Sequence, residues 1–415
     1  MIELKVDVDP AEVGFDAERL RRIDKHFDGY LEQKRLPGYL AVVTRNGKVA
    51  HLASNGRRDI EAGLPVETDT IWRVYSMTKP VTSVAAMMLV EAGLIDLKDP
   101  ISRWLPEFSE PRVFAGGSSV KPATVPAAGP IRLWHLLTHT AGLTYGFHRT
   151  HPVDALYRDA GFDLGTAPGL DLAGVSEAIA RLPLLFEPGS EWNYSVATDI
   201  LGRLIEVVSG QSLDAFFAER IFTPLGMHET GFQAADGDLD RLAALYVPHP
   251  ATKEPFRHDE LGNVGRVAPS CFSGGGGLVS TAGDFHRFAQ MLVRGGELDG
   301  VRLLGPRTVR LMATNHLPGG GDLETCGRTG FSEAPYDGFG FGLGFSVLDD
   351  PVKAKTLASA GEFAWGGAAS TAFWVDPDED ITVLFFTQLL PSSTYPIRVE
   401  LRNLVYQAYL ASNGA

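Results

Sequence analysis

Apolar positions along the chain follow two different periods, and the change of period outlines the expected elements. Residues 16–35 predict an amphipathic helix, because their large apolar side chains recur at helical spacing. Two apolar runs then flank Asn46 and Gly47, the strongest short-range signal for a β-hairpin. The further expected elements are helices at 77–92, 281–293 and 396–410, a mainly helical stretch at 131–232, and strands at 341–348, 369–375 and 381–387.

The order of these elements predicts an α+β fold. Strands near both ends of the chain are expected to share one antiparallel sheet flanked by the terminal helices. We expect a discontinuous sheet domain of residues 1–75 and 330–415, and a mainly helical domain of residues 76–329. The cleft between them is the expected site, since clefts between domains commonly bind ligands. Residues 112–130 are rich in Gly, Ser, Ala and Pro, which predicts a long loop.

Composition narrows the class of protein. The chain of 415 residues has 51 acidic and 37 basic side chains and a net charge of −14, which disfavours partnership with nucleic acid or an anionic membrane. Two cysteines cannot form a disulfide framework. No run approaches the ~18 apolar residues of a membrane span, and the first residues lack the apolar core of a signal peptide. A cytoplasmic location is therefore expected.

Ser76 and Lys79 form the most informative pair in the sequence. Ser76 falls at the start of a predicted helix, and positions i and i+3 share one helix face, so the lysine can reach the serine hydroxyl. A buried lysine with a lowered pKa can accept the serine proton. Amides at the helix N-terminus can also stabilise an oxyanion. The pattern therefore favours nucleophilic catalysis by Ser76.

The Ser-x-x-Lys spacing by itself is weak evidence. A second copy at Ser118 and Lys121 lies in the predicted loop, where no helix fixes its geometry, and we interpret it as a chance match. The alternative for Ser76 is an ordinary helix N-cap with Lys79 in solvent.

Two later motifs supply further candidate groups. Tyr194 precedes a predicted helix and can transfer a proton if its phenol lies near Lys79; the alternative is a packed aromatic residue. Trp365, Gly366 and Gly367 lead into a predicted strand, where glycines let a substrate approach the backbone. The amide of Ala368 is a candidate second oxyanion donor, and the alternative is a bulge or tight turn.

Together these motifs resemble the serine β-lactamase and penicillin-binding-protein superfamily, whose nucleophile lies in Ser-x-x-Lys. The similarity is greatest to class C β-lactamase-like esterases, often called family VIII carboxylesterases, and it extends from about residue 15 to 410. It implies a β-lactamase/transpeptidase-like fold with the active site in the cleft. Three further segments support it: 136–142, 187–189 and 274–282.

The sequence departs from the β-lactamase pattern at two places. A Tyr-x-Asn motif is expected at the second position, but Val196 replaces the asparagine. A Lys-Thr-Gly motif is expected at the third, but Trp365 replaces the lysine. Both changes remove polar partners of a charged lactam, which favours a neutral acyl ester and disfavours efficient β-lactam hydrolysis.

The resemblance implies that Ser76 forms an acyl-enzyme with a small-molecule ester, without cofactor or metal. Lys79 and Tyr194 would share the proton transfers, and which of them is the base stays open. Ser76 and Ala368 amides would hold the oxyanion. Acyl transfer, β-lactam hydrolysis, D-amino-acid peptide or amide hydrolysis and an inactive binding protein are alternatives, and the oligomeric state is open. The expected substrate-binding residues are Tyr75, Val196, Trp365, Gly366 and Gly367.

Other site types fit the sequence less well. No Gly-x-Ser-x-Gly motif occurs, which disfavours an α/β-hydrolase triad. His135 and His139 have i, i+4 spacing, but Leu136 stands where a zinc protease carries glutamate. The glycines at 274–277 lack the Lys and Ser or Thr of a phosphate loop and predict a tight turn near the cleft.

Overall fold

One antiparallel sheet joins the two ends of the chain. The computed structural model describes residues 4–163, 165, 167–328 and 336–410. The strands in these residues are β1 Gly38–Arg45, β2 Lys48–Asp59, β3 Leu64–Pro65, β4 Ile71–Arg73, β5 Arg112–Gly117, β6 Pro122–Pro126, β7 Tyr246–Pro248, β8 Pro255–Arg257, β9 Val279–Thr281, β10 Glu297–Leu298, β11 Val301–Arg302, β12 Phe339–Phe341, β13 Ser346–Leu348, β14 Phe363–Gly366, β15 Ala372–Asp376 and β16 Ile381–Phe386.

Helices occupy both ends of the chain and most of its middle. In the described ranges they are α1 Ala17–Glu32, α2 Thr78–Glu91, α3 Leu133–Leu137, α4 Pro152–Asp159, α5 Leu172–Ala180, α6 Ala197–Ser209, α7 Leu213–Phe217, α8 Thr223–Leu225, α9 Asp259–Gly262, α10 Ala282–Val293, α11 Pro306–Met312, α12 Leu323–Cys326, α13 Pro351–Ala354 and α14 Ile397–Tyr406. A 3₁₀ turn, Tyr75–Met77, directly precedes α2. Among the residues described, no helix combines the length and apolar character needed to cross a bilayer.

The strand order of the main sheet places the C-terminal strand beside the N-terminal hairpin. Over the described part of the chain the order is β12-β13-β14-β15-β16-β1-β2-β3, and Leu40 of β1 lies opposite Phe386 of β16. Asn46 and Gly47 have φ values of +51° and +71°, as a two-residue hairpin turn requires. The hairpin expected from this dipeptide is therefore present.

Helices cover both faces of the sheet because alternate side chains of a strand point to opposite faces. Phe27 of α1 packs on Phe385, with ring centroids 4.7 Å apart. Phe285 of α10 packs on Phe373 from the other face, at 5.2 Å. The terminal helices α1 and α14 also pack on each other. The apolar core thus extends through both sides of the sheet.

The helical middle of the chain brings the start of α2 to the end of β14. α2 packs against α6, which in turn packs against α3 and α5. Nearly the whole length of α2 is buried. The turn Tyr75–Met77 contacts β14, so the first residues of α2 lie between the sheet and the helices.

The α+β architecture expected from the sequence is confirmed. The domain boundaries stay a prediction, and residues 330–335 within them lie outside the described residues. The predicted loop at 112–130 is wrong in part, since β5 and β6 form a hairpin with Val113 opposite Val125. The expected strand at 341–348 is divided into β12 and β13, because Gly344 adopts a φ of +100° between them.

Candidate active site

Ser76 lies in the 3₁₀ turn that connects a short strand to α2. β4 is anchored by pairing with β9, and the Val74 amide donates to Leu278 O at 3.1 Å. Tyr75 has a φ of +44°, a left-handed conformation that is costly for a side chain of this size. Ser76 itself is partly exposed between the buried Val74 and Met77. Its amide is among the first of the turn, whose donors have no partner within the helix.

Lys79 reaches Ser76 from the first turn of α2. Its Nζ lies 3.2 Å from Ser76 Oγ and donates to the carbonyl oxygen of Gly275 at 2.6 Å. The side chain is 2% exposed, and Nζ lies 4.5 Å from the ring centroid of Tyr194. Burial lowers the pKa of the Lys79 ammonium to about 7, while Asp199 acts in the opposite direction. A large neutral fraction is therefore available near pH 7.

Tyr194 approaches Ser76 from the loop before α6. Its O–H donates to Ser76 Oγ at 2.6 Å, and its backbone carbonyl accepts from His148 Nε2 at 2.7 Å. Burial raises the pKa of the Tyr194 phenol above its ordinary value, although hydrogen bonds with Ser76 and Trp365 act to lower it. The phenol is therefore protonated at neutral pH.

The end of β14 brings the third predicted motif to the nucleophile. The Trp365 ring lies 5.5 Å from that of Tyr194. A Cβ on Gly367 would collide with Val74 O and Thr371 Oγ1, so glycine permits this strand to meet the backbone just before Tyr75 and Ser76. Within the described residues the Ala368 amide donates to no backbone carbonyl. Its role as an oxyanion donor stays a prediction.

Val196 and Tyr75 occupy different environments. Val196 is 1% exposed at the start of α6, and its amide donates to Thr144 O at 3.4 Å. Tyr75 is partly exposed beside Ser76, and burial of its hydroxyl raises its pKa. Their roles in substrate binding stay predictions.

Two residues at the site were not identified from the sequence. The carbonyl of Gly275, in the tetraglycine turn, accepts a hydrogen bond from Lys79. Asp199, in α6, accepts one from the amide of the same glycine. The run 274–277 was expected only as a tight turn near the cleft. The signal that was available is the acidic residue in the first turn of α6, which is also an ordinary feature of helix starts.

Arg398 is a third residue that the sequence did not reveal. It lies in the first turn of α14, and its Nη2 donates to Gly367 O at 3.0 Å and Thr371 O at 2.9 Å. A Cβ on Gly366 would collide with its guanidinium group. A half-buried cation therefore lies directly behind the third motif, and it partly offsets the rise in the pKa of Tyr194.

The histidines considered as metal ligands are engaged elsewhere. His135 Nδ1 accepts from the Arg132 amide at 3.0 Å, and His139 Nδ1 lies 3.1 Å from Ser195 Oγ. Burial lowers the pKa of both imidazoles. Over the described ranges, no group of three His, Cys, Asp or Glu residues is arranged to hold a metal ion.

The second Ser-x-x-Lys pair lies away from this site. Ser118 and Lys121 occupy the exposed turn between β5 and β6, where the Lys121 amide donates to Ser118 Oγ at 3.3 Å.

A serine contacted by a buried lysine and a tyrosine, at the junction of an antiparallel sheet and a helical region, defines a serine hydrolase of β-lactamase type. The model of the family described as Beta-lactamase matches residues 23–407, so the chain belongs to that family.

Relatives within this family carry esterase and acyltransferase names. Esterase EstB of Burkholderia gladioli is 34% identical over 96% of this chain and 98% of the esterase. Monacolin J acid methylbutanoyltransferase of Aspergillus terreus is 29% identical over 79% of each chain. The solved structure of EstCE1, described as a hydrolase with promiscuous acyltransferase activity, has a TM-score of 0.79 at 30% identity, covering 96% of this chain and 99% of that one.

Proposed function

We propose that this protein is a serine carboxylesterase of the family VIII type, which hydrolyses short-chain acyl esters through an acyl-enzyme on Ser76. The observation that carries the proposal is the simultaneous approach of Lys79 and Tyr194 to Ser76 Oγ, at 3.2 and 2.6 Å. The similarity to an esterase and to a hydrolase with acyltransferase activity supports it. A cytoplasmic location remains part of the proposal.

Lys79 is the proposed base for acylation. Its pKa of about 7 makes the neutral amine available, whereas the Tyr194 phenol retains its proton. As Ser76 Oγ forms a bond to the ester carbonyl carbon, its proton passes to Lys79 Nζ. The phenol donates to Oγ and orients it. Burial disfavours the charged form of each group, so it lowers the pKa of the Lys79 ammonium and raises that of the Tyr194 phenol. This difference assigns the two roles.

The tetrahedral intermediate carries a negative oxygen that needs donors. The amides of Ser76 and Ala368 are the proposed oxyanion donors. Collapse of the intermediate breaks the bond to the leaving oxygen, which takes a proton from the Lys79 ammonium and departs as an alcohol. The acyl group then remains on Ser76. Water attacks the acyl-enzyme with Lys79 again as base, releasing the acid and restoring the serine hydroxyl.

The side chains around Tyr194 favour an uncharged acyl group. Three neighbouring aromatic side chains, each less than a tenth exposed, contact its ring: Tyr145, Trp192 and Trp365. The equally buried Phe341 packs on Trp365. Such a wall is apolar and closely packed. None of these four side chains carries a charge that could pair with a carboxylate on the acyl group.

Acyl transfer is the second candidate function. It uses the same acyl-enzyme and differs only in the acceptor, an alcohol or amine in place of water. The similarity to a methylbutanoyltransferase and to EstCE1 favours it as an alternative. β-Lactam hydrolysis is less well supported, because Val196 has no side-chain amide and Trp365 has no positive charge.

The test measures p-nitrophenol release from p-nitrophenyl butyrate by wild type, Ser76→Ala and Ser118→Ala. We expect Ser76→Ala to abolish turnover and Ser118→Ala to retain it, since the second pair lies in an exposed hairpin turn. Survival of activity in Ser76→Ala would contradict the proposal. Nitrocefin should be cleaved poorly, and added methanol should yield methyl butyrate if transfer competes with hydrolysis.

A further inference from the structure

Asp199 is a buried carboxylate that the proposed reaction does not use. It occupies the first turn of α6 and is 1% exposed. Its Oδ1 accepts from Ser273 Oγ at 2.6 Å and from the Gly275 amide at 3.0 Å. A buried carboxylate is costly unless donors and opposite charge compensate it. The donors here come from a single segment, the turn containing Gly275.

Gly275 joins this carboxylate to Lys79. Its amide donates to Asp199, while its carbonyl accepts from Lys79 Nζ at 2.6 Å. A Cβ at this position would lie 2.7 Å from Asp199 Oδ2, so the absence of a side chain permits the close approach. The neighbouring Gly274 carbonyl accepts from Thr82 Oγ1 at 2.7 Å. The turn is therefore fixed from α6 on one side and from α2 on the other.

We propose that Asp199 is a positioning residue, which fixes Lys79 against Ser76 through the Gly275 backbone and places a negative charge near the lysine nitrogen. The inference rests on the proposed function, since Lys79 is its base. Charge and geometry act together here. The carboxylate counteracts the burial that lowers the pKa of Lys79, and without it the amine would be a weaker base.

Burial also shifts the pKa of the other titratable groups around the pair, and it raises that of Asp199 itself against its hydrogen bonds and the charge of Lys79. Burial lowers the pKa of His139 and His148 and raises that of Tyr145, Tyr194 and Cys271. Glu206 and Asp171 face Cys271 from α6 and from the N-cap of α5, and Arg398 faces Tyr194. We therefore expect Lys79 to define the acidic limb of the pH–rate profile, which is the pH range over which the rate rises as Lys79 loses its proton.

The test compares Asp199→Asn with Asp284→Asn in the full chain. Asp284 is a matched control, because it also lies buried in the first turn of a helix and accepts one backbone amide and one hydroxyl. The pH dependence of Ser76 phosphonylation by a p-nitrophenyl alkylphosphonate is followed alongside ester hydrolysis. Phosphonylation requires attack by Ser76 but no deacylation.

We expect Asp199→Asn to move the acidic limb to lower pH and to lower the maximal rate roughly tenfold. Loss of the negative charge lowers the pKa of Lys79, so the amine becomes neutral at lower pH. Asp284→Asn should leave the limb in place. A folded Asp199→Asn variant whose acidic limb lies at the same pH as that of wild type would overturn the inference. Loss of a purely structural residue would change the rate without shifting the pH of this limb.

A milder pair of variants tests the inference if Asp199→Asn does not fold. Ser273→Ala removes one hydrogen bond to Asp199, and Thr230→Ala removes the corresponding one to Asp284. We expect only Ser273→Ala to slow phosphonylation, by a few fold, and equal rates would contradict the proposal. If wild type reacts with neither ester nor phosphonate, the proposed function itself fails, which distinguishes the two failures.

Discussion

The phenolic oxygen of Tyr194 lies 2.6 Å from Oγ of Ser76, although 118 residues separate them in the chain. The contact joins the start of α6 to the turn before α2. In the proposed reaction the phenol keeps its proton and orients Ser76 Oγ as a hydrogen-bond donor, while Lys79 receives the serine proton.

Replacing Tyr194 by Phe should therefore lower kcat/KM for p-nitrophenyl butyrate by about 100-fold or more. The ring would keep its packing against Trp365 and Tyr145, so the thermal midpoint should change little. Tyr157→Phe, at a buried tyrosine of α4, is the control and should keep activity within about twofold. Equal losses in the two variants would show that a general packing effect is responsible.

The rate of ester hydrolysis should depend on the protonation of Lys79. Its pKa of about 7 is below the ordinary value because burial disfavours the charged form. The protonated form is inactive as a base, so kcat/KM should rise as pH increases through about 7. A profile that is flat between pH 6 and 8 would contradict the assignment of Lys79 as base.

Lys79→Arg provides the complementary variant, because a guanidinium stays protonated at these pH values. We expect its kcat/KM to fall by about 100-fold or more at pH 8. Lys121→Arg, in the exposed second pair, is the control with the same substitution and should behave as wild type.

Gly367→Ala tests the contact between β14 and the nucleophile turn. The new Cβ would collide with Val74 O and Thr371 Oγ1, and backbone at Val74 cannot give way as a side chain can. We expect destabilisation of roughly 1–3 kcal/mol and a marked loss of ester turnover. Gly129→Ala is the control, since no atom lies within 4 Å of its Cβ position. Unchanged turnover in Gly367→Ala would show that this contact does not position Ser76.

The ion pair of Arg402 and Glu362 holds α14 on the sheet. Glu362 is fully buried and accepts from Arg402 Nη2 at 2.8 Å and Nε at 3.0 Å. Arg402→Met leaves this carboxylate without its cation, and we expect a loss of about 3 kcal/mol in the free energy of unfolding. Urea denaturation measures it. Arg103→Met, at an exposed i, i+4 pair with Asp99, should cost less than about 1 kcal/mol.

Elements with strong local signals could be predicted from the sequence. A two-residue hairpin turn requires positive φ at both of its residues, and Asn46 and Gly47 are residues that adopt it readily. This dipeptide therefore predicted the β1–β2 hairpin. The i, i+3 spacing placed Ser76 and Lys79 on one helix face, and the structure brings them within 3.2 Å. Local patterns of this kind depend on few residues. They are therefore visible without knowledge of the rest of the fold.

Features that depend on contacts between distant segments could not be predicted. Gly275 meets Lys79 across 196 residues and Asp199 across 76. Arg398 reaches Gly367 from a different element. The β5–β6 hairpin was missed for another reason: apart from Val113, its side chains are exposed or half-buried, so it lacks the alternation of apolar and polar residues that reveals a strand.

The position of β16 between β15 and β1 has a consequence for how the protein is made. Leu40 pairs with Phe386, and Thr387 Oγ1 donates to Gly38 O across 349 residues of sequence. During synthesis from the N-terminus, the β1–β2 hairpin therefore has one unpaired edge until β16 has left the ribosome. A ribosome-bound chain that ends before β16 therefore exposes an apolar strand edge.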